Sequence, residues 1–123
     1  MAGECILIVD DSQPSARLFE TALEVEGYAV RVCPNATAAL AIAAQTRLAL
    51  ALLDLRLPDM TGAELARLLR GMPHLASTPM IGVTAGDGPE EAELARASGM
   101  SDVLQKPIST VSLRRLVAAL TQH

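Results

Sequence analysis

The chain has 123 residues, 50% of them hydrophobic, with 10 basic and 14 acidic side chains and a formal net charge of -4. That length predicts one domain over residues 1–123 with a single core. The acidic balance, with no Lys/Arg cluster and no aromatic-basic interleaving, argues against direct nucleic-acid binding. No apolar run approaches the roughly 20 residues that cross a bilayer, and "MAGECILIVDD" turns acidic too early for a secretory signal, so no membrane contact and a cytoplasmic location are expected.

Two periodicities alternate along the chain. Cys5–Val9 is a short, fully apolar run, as a parallel strand covered on both faces requires. It ends in the pair Asp10-Asp11, and Ser12 with Pro14 then signals a helix start. Ala16, Phe19 and Leu23 give that helix an inward face, and Gly27 marks its end. Ala29–Cys33 reads as a second strand of the same kind, covered on both faces, and Asn35 is placed to cap a second helix. That helix, "ATAALAIAAQ", is so uniformly aliphatic that no face can be read from it, and its prediction rests on propensity. Leu48–Leu53 is the third strand, followed by Asp54. Pro58 and Gly62 in "LPDMTG" shape a turn into a third helix, with Leu65, Leu68 and Leu69 inward and Gly71 at its end. Met80–Val83 and Val103–Leu104 are the fourth and fifth strands, separated by a helix that Pro89 opens and Gly99 closes. Ser109 or Thr110 starts a last helix with Leu113, Leu116, Val117 and Leu120 at i, i+3, i+4, i+7.

Cys5 and Cys33 both fall inside strand runs and read as buried, reduced thiols, because a disulfide scaffold of this size would carry more cysteines. His74 beside Pro73 and His123 at the last position read as surface residues. Met60, Met72, Met80 and Met100 read as core or loop filler.

Five strands alternating with five helices define a doubly wound α/β domain with helices on both faces of a parallel sheet. Ligands of such sheets bind beyond the carboxyl ends of the strands, where strand order reverses. That edge collects Asp10, Asp11, Asp54, Thr84 and Lys106. Three carboxylates at one edge repel each other and lose water, a conflict that a hard cation relieves. Mg²⁺ takes oxygen ligands and keeps several waters, which leaves an open side for a phosphoryl group. Asp54 would be the nucleophile, forming an aspartyl-phosphate. The Thr84 hydroxyl and the Lys106 ammonium would stabilise the phosphoryl oxygens.

Each of these residues is ordinary alone; in this order, at the ends of alternating strands, the set resembles the response-regulator receiver domain of two-component signalling over the whole chain. The resemblance implies a flavodoxin-like (βα)5 three-layer fold with strand order 2-1-3-4-5. It implies that Asp54 in "LALALLDLRLPDMTG" is the phosphoacceptor, that Asp11 ligates Mg²⁺ directly and Asp10 through water, and that the Arg56 backbone carbonyl completes the protein ligands. "VTA" supplies Thr84 as switch residue with small Ala85 beside it, and "LQKP" supplies Lys106 with a cis bond expected before Pro107. Arg56 and Gly86 occupy the positions that modulate dephosphorylation in that family. The implied donors are a sensor histidine kinase or a histidine phosphotransfer protein, and the output passes to a downstream protein or to an output domain outside this chain.

Two departures concern readout. The family's usual aromatic three places before the lysine is Val103 here, which has no comparable rotamer swing, so the relay from Thr84 is expected to use another element such as the loop from Gly82 to Gly88. "KPI" replaces the frequent "KPF". Two alternatives remain beside the phosphoacceptor reading. A degenerate receiver that only binds protein conflicts with the intact Asp10, Asp11, Asp54, Thr84 and Lys106. A haloacid-dehalogenase-like phosphatase would carry DxD on its first strand and a cap domain, whereas this chain has adjacent "DD" there and its lone candidate nucleophile on the third strand.

Overall fold

The computed structural model describes residues 5–86 and 89–121. The strands are β1 (Cys5–Val9), β2 (Ala29–Cys33), β3 (Leu48–Asp54), β4 (Met80–Thr84) and β5 (Asp102–Gln105). The helices are α1 (Gln13–Val25), α2 (Ala36–Ala43), α3 (Gly62–Arg70), α4 (Pro89–Ala97) and α5 (Thr110–Thr121), with a 3₁₀ turn at Pro73–Leu75. All strand pairs are parallel, in the order β2-β1-β3-β4-β5.

Strand side chains alternate between two cores. Ile6, Ile8, Leu50, Leu52, Ile81 and Val83 pack with Ala16, Phe19 and Leu23 of α1 and Leu113 and Val117 of α5. Leu7, Val9, Ala51, Leu53 and Met80 face the other way, with Ala36, Ala39 and Ala43 of α2, Leu65 and Leu69 of α3 and Ala95 of α4. The all-alanine face of α2 explains why periodicity could not reveal it: its small side chains let the helix lie close to the sheet. Cys5 and Cys33 are buried and free, and burial pushes both thiols up from their ordinary value.

The structure corrects several expectations. β2 is not covered on both faces: Ala29, Arg31 and Val32 are exposed, because β2 is an edge strand. Leu68 does not belong to the inward face of α3 and is 50% exposed. β3 and β4 each run one residue further than predicted, to take in Asp54 and Thr84, and β5 extends over Asp102–Gln105, since ladder pairing continues where the apolar run stops. Gly71 ends α3 in the right-handed region (φ -73), leading directly into the 3₁₀ turn. Gly27 and Gly99 end their helices at φ 97 and φ 96, with Tyr28 N–H bonding back to the Leu23 carbonyl and Met100 N–H to that of Ala95.

Two side chains fasten the rim opposite the strands' carboxyl ends. Arg70, at the end of α3, donates to the carbonyls of Leu75, Ala76 and Thr78 through one nitrogen and to that of Gly99, at 2.8 Å, through another. His74 is exposed, as predicted, yet its Nε2 lies 2.7 Å from the Ala43 carbonyl at the end of α2. His123 and Gly88 lie outside the described residues.

Candidate functional site

Strand register assembles the site. Val9 lies beside Leu53, so Asp10 and Asp54 leave neighbouring parallel strands together. Asp54 pairs with Val83, and Thr84 with Gln105, which places Thr84 and Lys106 one step further along the same rim. The rim at β1 and β3 is where strand order reverses.

Carboxylate oxygens of Asp10, Asp11 and Asp54 all lie within 4.8 Å of one another. Asp10 and Asp54 are buried, at 4% and 8% exposure, while Asp11 is open to solvent. Asp10 Oδ1 accepts the Ser12 N–H at 2.8 Å. Its Oδ2 stands 3.1 Å from Lys106 Nζ, an ion pair without hydrogen-bond alignment, so among the described residues this buried oxygen has no hydrogen-bond donor. Asp54 Oδ1 accepts the Arg56 N–H at 3.0 Å. Burial pushes the Asp54 carboxyl up to about 6; the Arg56 N–H pulls it down, the Asp10 charge pushes it further up, and Lys106 partly offsets that charge.

An undonated buried carboxylate oxygen beside a carboxyl raised by burial and by a neighbouring negative charge describes a pocket short of positive charge. The donor set is all oxygen and open to solvent at Asp11, which fits Mg²⁺ rather than a softer ion. Thr84 is buried, and its Oγ1 accepts the Gly86 N–H at 2.9 Å. Lys106 is followed by a cis bond to Pro107, as the resemblance implied. Val103 is half-buried and packs against the α2–α4 core.

The loop after β3 folds back on itself. Arg56 and Thr61 form an antiparallel bridge, the Gly62 N–H donates to the Leu55 carbonyl at 2.9 Å, and Thr61 and Glu64 cap α3 reciprocally. The sequence signal for this cap, Thr-x-x-Glu, was available. Gly62 approaches β3 so closely that a Cβ there would overlap the Asp54 carbonyl oxygen and lie 2.8 Å from Leu55 Cα. Sequence reasoning missed Asp59 at the loop's turn. It accepts the N–H groups of Ala36 and Thr37 and the Thr37 hydroxyl, and these bonds hold its carboxyl down at about 2.

Residues 6–118 match the family model for the response regulator receiver domain, and the chain belongs to that family. It is 38% identical over 117 residues to the response regulator PleD of Caulobacter vibrioides, covering 95% of this chain and 26% of that protein. It is 34% identical over 112 residues to the signal transduction histidine-protein kinase BarA of Escherichia coli, covering 91% of this chain and 12% of that one. The chain therefore spans about a quarter of the first of these curated relatives and about an eighth of the second. Among solved structures, the chemotaxis response regulator CheY4 of Vibrio cholerae superposes with TM-score 0.89 at 27% identity, covering 95% of this chain and 98% of that one. The signal receiver domain of a Syntrophus aciditrophicus histidine kinase superposes with TM-score 0.87 at 34% identity, covering 98% and 90%. The fold is the flavodoxin-like one of these neighbours, and the family is a regulatory signalling domain of two-component systems.

Proposed function

We propose that the chain is a phosphoacceptor switch in which Asp54 takes a phosphoryl group from the phosphohistidine of a sensor kinase or phosphotransfer protein. The observation that carries this reading is the cluster itself: three carboxylates within 4.8 Å of one another, with Lys106 3.1 Å from Asp10. Asp10, Asp11, Asp54 and the Arg56 carbonyl would hold Mg²⁺. When bound, that ion supplies the positive charge that lets an anionic carboxylate and an anionic phosphoryl group meet.

In the transfer, an Asp54 carboxylate oxygen bonds to phosphorus as the donor's P–N bond breaks. The electron pair leaves with the imidazole, which takes a proton from solvent. The Arg56 N–H fixes the Asp54 carboxylate by one oxygen. Lys106 can exchange Asp10 for a phosphoryl oxygen, and the Thr84 hydroxyl, whose oxygen accepts the Gly86 N–H, can donate its own proton to the same group. These exchanges give the two states different contact energies, which is what a two-state signal needs. The domain would act in the cytoplasm as a single receiver unit, catalysing only its own phosphorylation and dephosphorylation, with output to a partner protein or an attached domain. Among the described residues no helix is long and apolar enough to cross a membrane.

The test is intact mass after incubation with acetyl phosphate, with and without Mg²⁺, beside Asp54→Asn. One phosphoryl adduct that requires both Mg²⁺ and Asp54 supports the switch. A folded protein that gains no adduct supports the protein-binding reading instead.

A further inference from the structure

The Asp59 carboxylate lies outside the acidic cluster and binds the start of α2. Its Oδ1 accepts the Ala36 N–H at 2.9 Å, and its Oδ2 accepts the Thr37 N–H at 2.8 Å and the Thr37 hydroxyl at 2.6 Å. α2 already has a cap of its own, since Asn35 Oδ1 accepts the Ala38 N–H at 2.8 Å. The Asp59 bonds therefore do more than end a helix: they join the loop after β3 to the loop before α2.

Each of those loops adjoins a residue that fixes one member of the cluster. At the end of β2, where the loop to α2 begins, the Cys33 carbonyl accepts the Asp10 backbone N–H at 3.0 Å. After β3, the Arg56 N–H donates to Asp54 Oδ1 at 3.0 Å, and the Arg56–Thr61 bridge closes the loop's base. Three hydrogen bonds, Asp10 to Cys33, Ala36 to Asp59 and Arg56 to Asp54, joined by the chain segments 33–36 and 56–59, thus link Asp10 to Asp54, and the Asp59 bonds complete the path. At its two ends sit two buried carboxylates whose mutual repulsion drives them apart.

We propose that Asp59 is a positioning residue for the cation site, bracing the two loops so that Asp10 and the Asp54–Arg56 segment stand ready for Mg²⁺. The proposal rests on reading the cluster as a Mg²⁺ site. A site held in its binding geometry binds at its intrinsic affinity, whereas one that populates that geometry part of the time loses affinity in proportion. Partners that orient metal ligands typically contribute 10- to 100-fold in affinity, and a brace one step further out is expected to contribute about fivefold.

The experiment is a Mg²⁺ titration of the ¹⁵N-labelled chain followed by amide shifts, with wild type, Asp59→Ala, Asp59→Asn, Thr37→Val and Asn35→Ala. Asp59→Ala should raise the apparent Kd about fivefold, with Asp59→Asn and Thr37→Val between it and wild type. Asn35→Ala should lower thermal stability while leaving Mg²⁺ affinity unchanged, because it loosens α2 without parting the loops. In acetyl phosphate reactions, Asp59→Ala should need more Mg²⁺ to reach an unchanged maximal rate. Wild-type affinity in Asp59→Ala overturns the proposal, as does an equal loss in Asn35→Ala, which would make general loosening of α2 the cause. A wild-type chain that binds no Mg²⁺ overturns the reading of the cluster together with the brace, whereas tight wild-type binding unaffected by Asp59→Ala overturns the brace alone.

Discussion

Asp54 occupies a place that suits its neutral form better than its charged one. Its folded pKa, about 6, lies above the ordinary 3.8, so the native state holds a proton over a range where the unfolded chain has released it. In Mg²⁺-free buffer the resulting penalty is absent below about pH 4, grows as pH rises and is complete above about pH 6. Asp54→Asn should therefore stabilise the protein by about 2 kcal/mol near pH 7.5 and by almost nothing near pH 4, measured by urea denaturation at both. A pH-independent difference would count against a charge origin. Gly62 is constrained by space rather than charge. Gly62→Ala forces a methyl against the Asp54 carbonyl and should cost about 2–3 kcal/mol in the same assay, with a smaller acetyl-phosphate rate, since backbone cannot rotate away as a side chain can. Asp10, Asp11, Asp54, Thr84 and Lys106 were legible because their positions follow from strand ends, which the sequence marks locally. Asp59 was not, because its role depends on two loops meeting across the fold, and no local pattern records that meeting.

The elements were legible to the degree that their environment is uniform. β1, β3 and β4 are buried along their length, so continuous apolar residues announced them. β2 carries a similar run but borders solvent, and its position at the sheet's edge is a property of topology, not of its residues. Leu68 misled for a related reason: its spacing fits the helix, yet it lies to the side of the core and is left half open. Arg70 shows how elements are joined once formed. From the end of α3, its guanidinium takes up carbonyls at the end of the 3₁₀ turn, in the segment before β4 and at Gly99 before β5, groups that would otherwise need water. Arg70→Met keeps the stem and removes the donors; it should lower stability by about 2 kcal/mol and speed amide exchange at Gly99 and Met100, read by hydrogen exchange. Arg70→Lys should recover little, since a single ammonium lacks the fork that reaches both sides.

At the scale of the molecule, the proposed Mg²⁺ would relieve the repulsion at one rim, and native stability would then depend on that cation. A ligand that binds only the folded state at tenfold its Kd adds about 1.4 kcal/mol, so Mg²⁺ should raise the melting temperature of wild type measurably and that of Asp11→Ala far less. Ca²⁺ at equal concentration serves as the comparison for site size. The fold as a whole was legible because alternation of strand and helix leaves few ways to wind a parallel sheet; the relay from the site was not, since Val103 removes the side chain whose motion would have marked it. The Arg70 clamp bears on that relay. It fixes β4 and β5 where they begin, on the far side of the sheet from Thr84 and Lys106. Strands anchored at the base behave as short cantilevers: a push at the tip is absorbed by flexing near the tip and dies away toward the anchor. A message from Asp54 would thus travel sideways, from one loop to its neighbour around the rim, and leave the lower half of the molecule still.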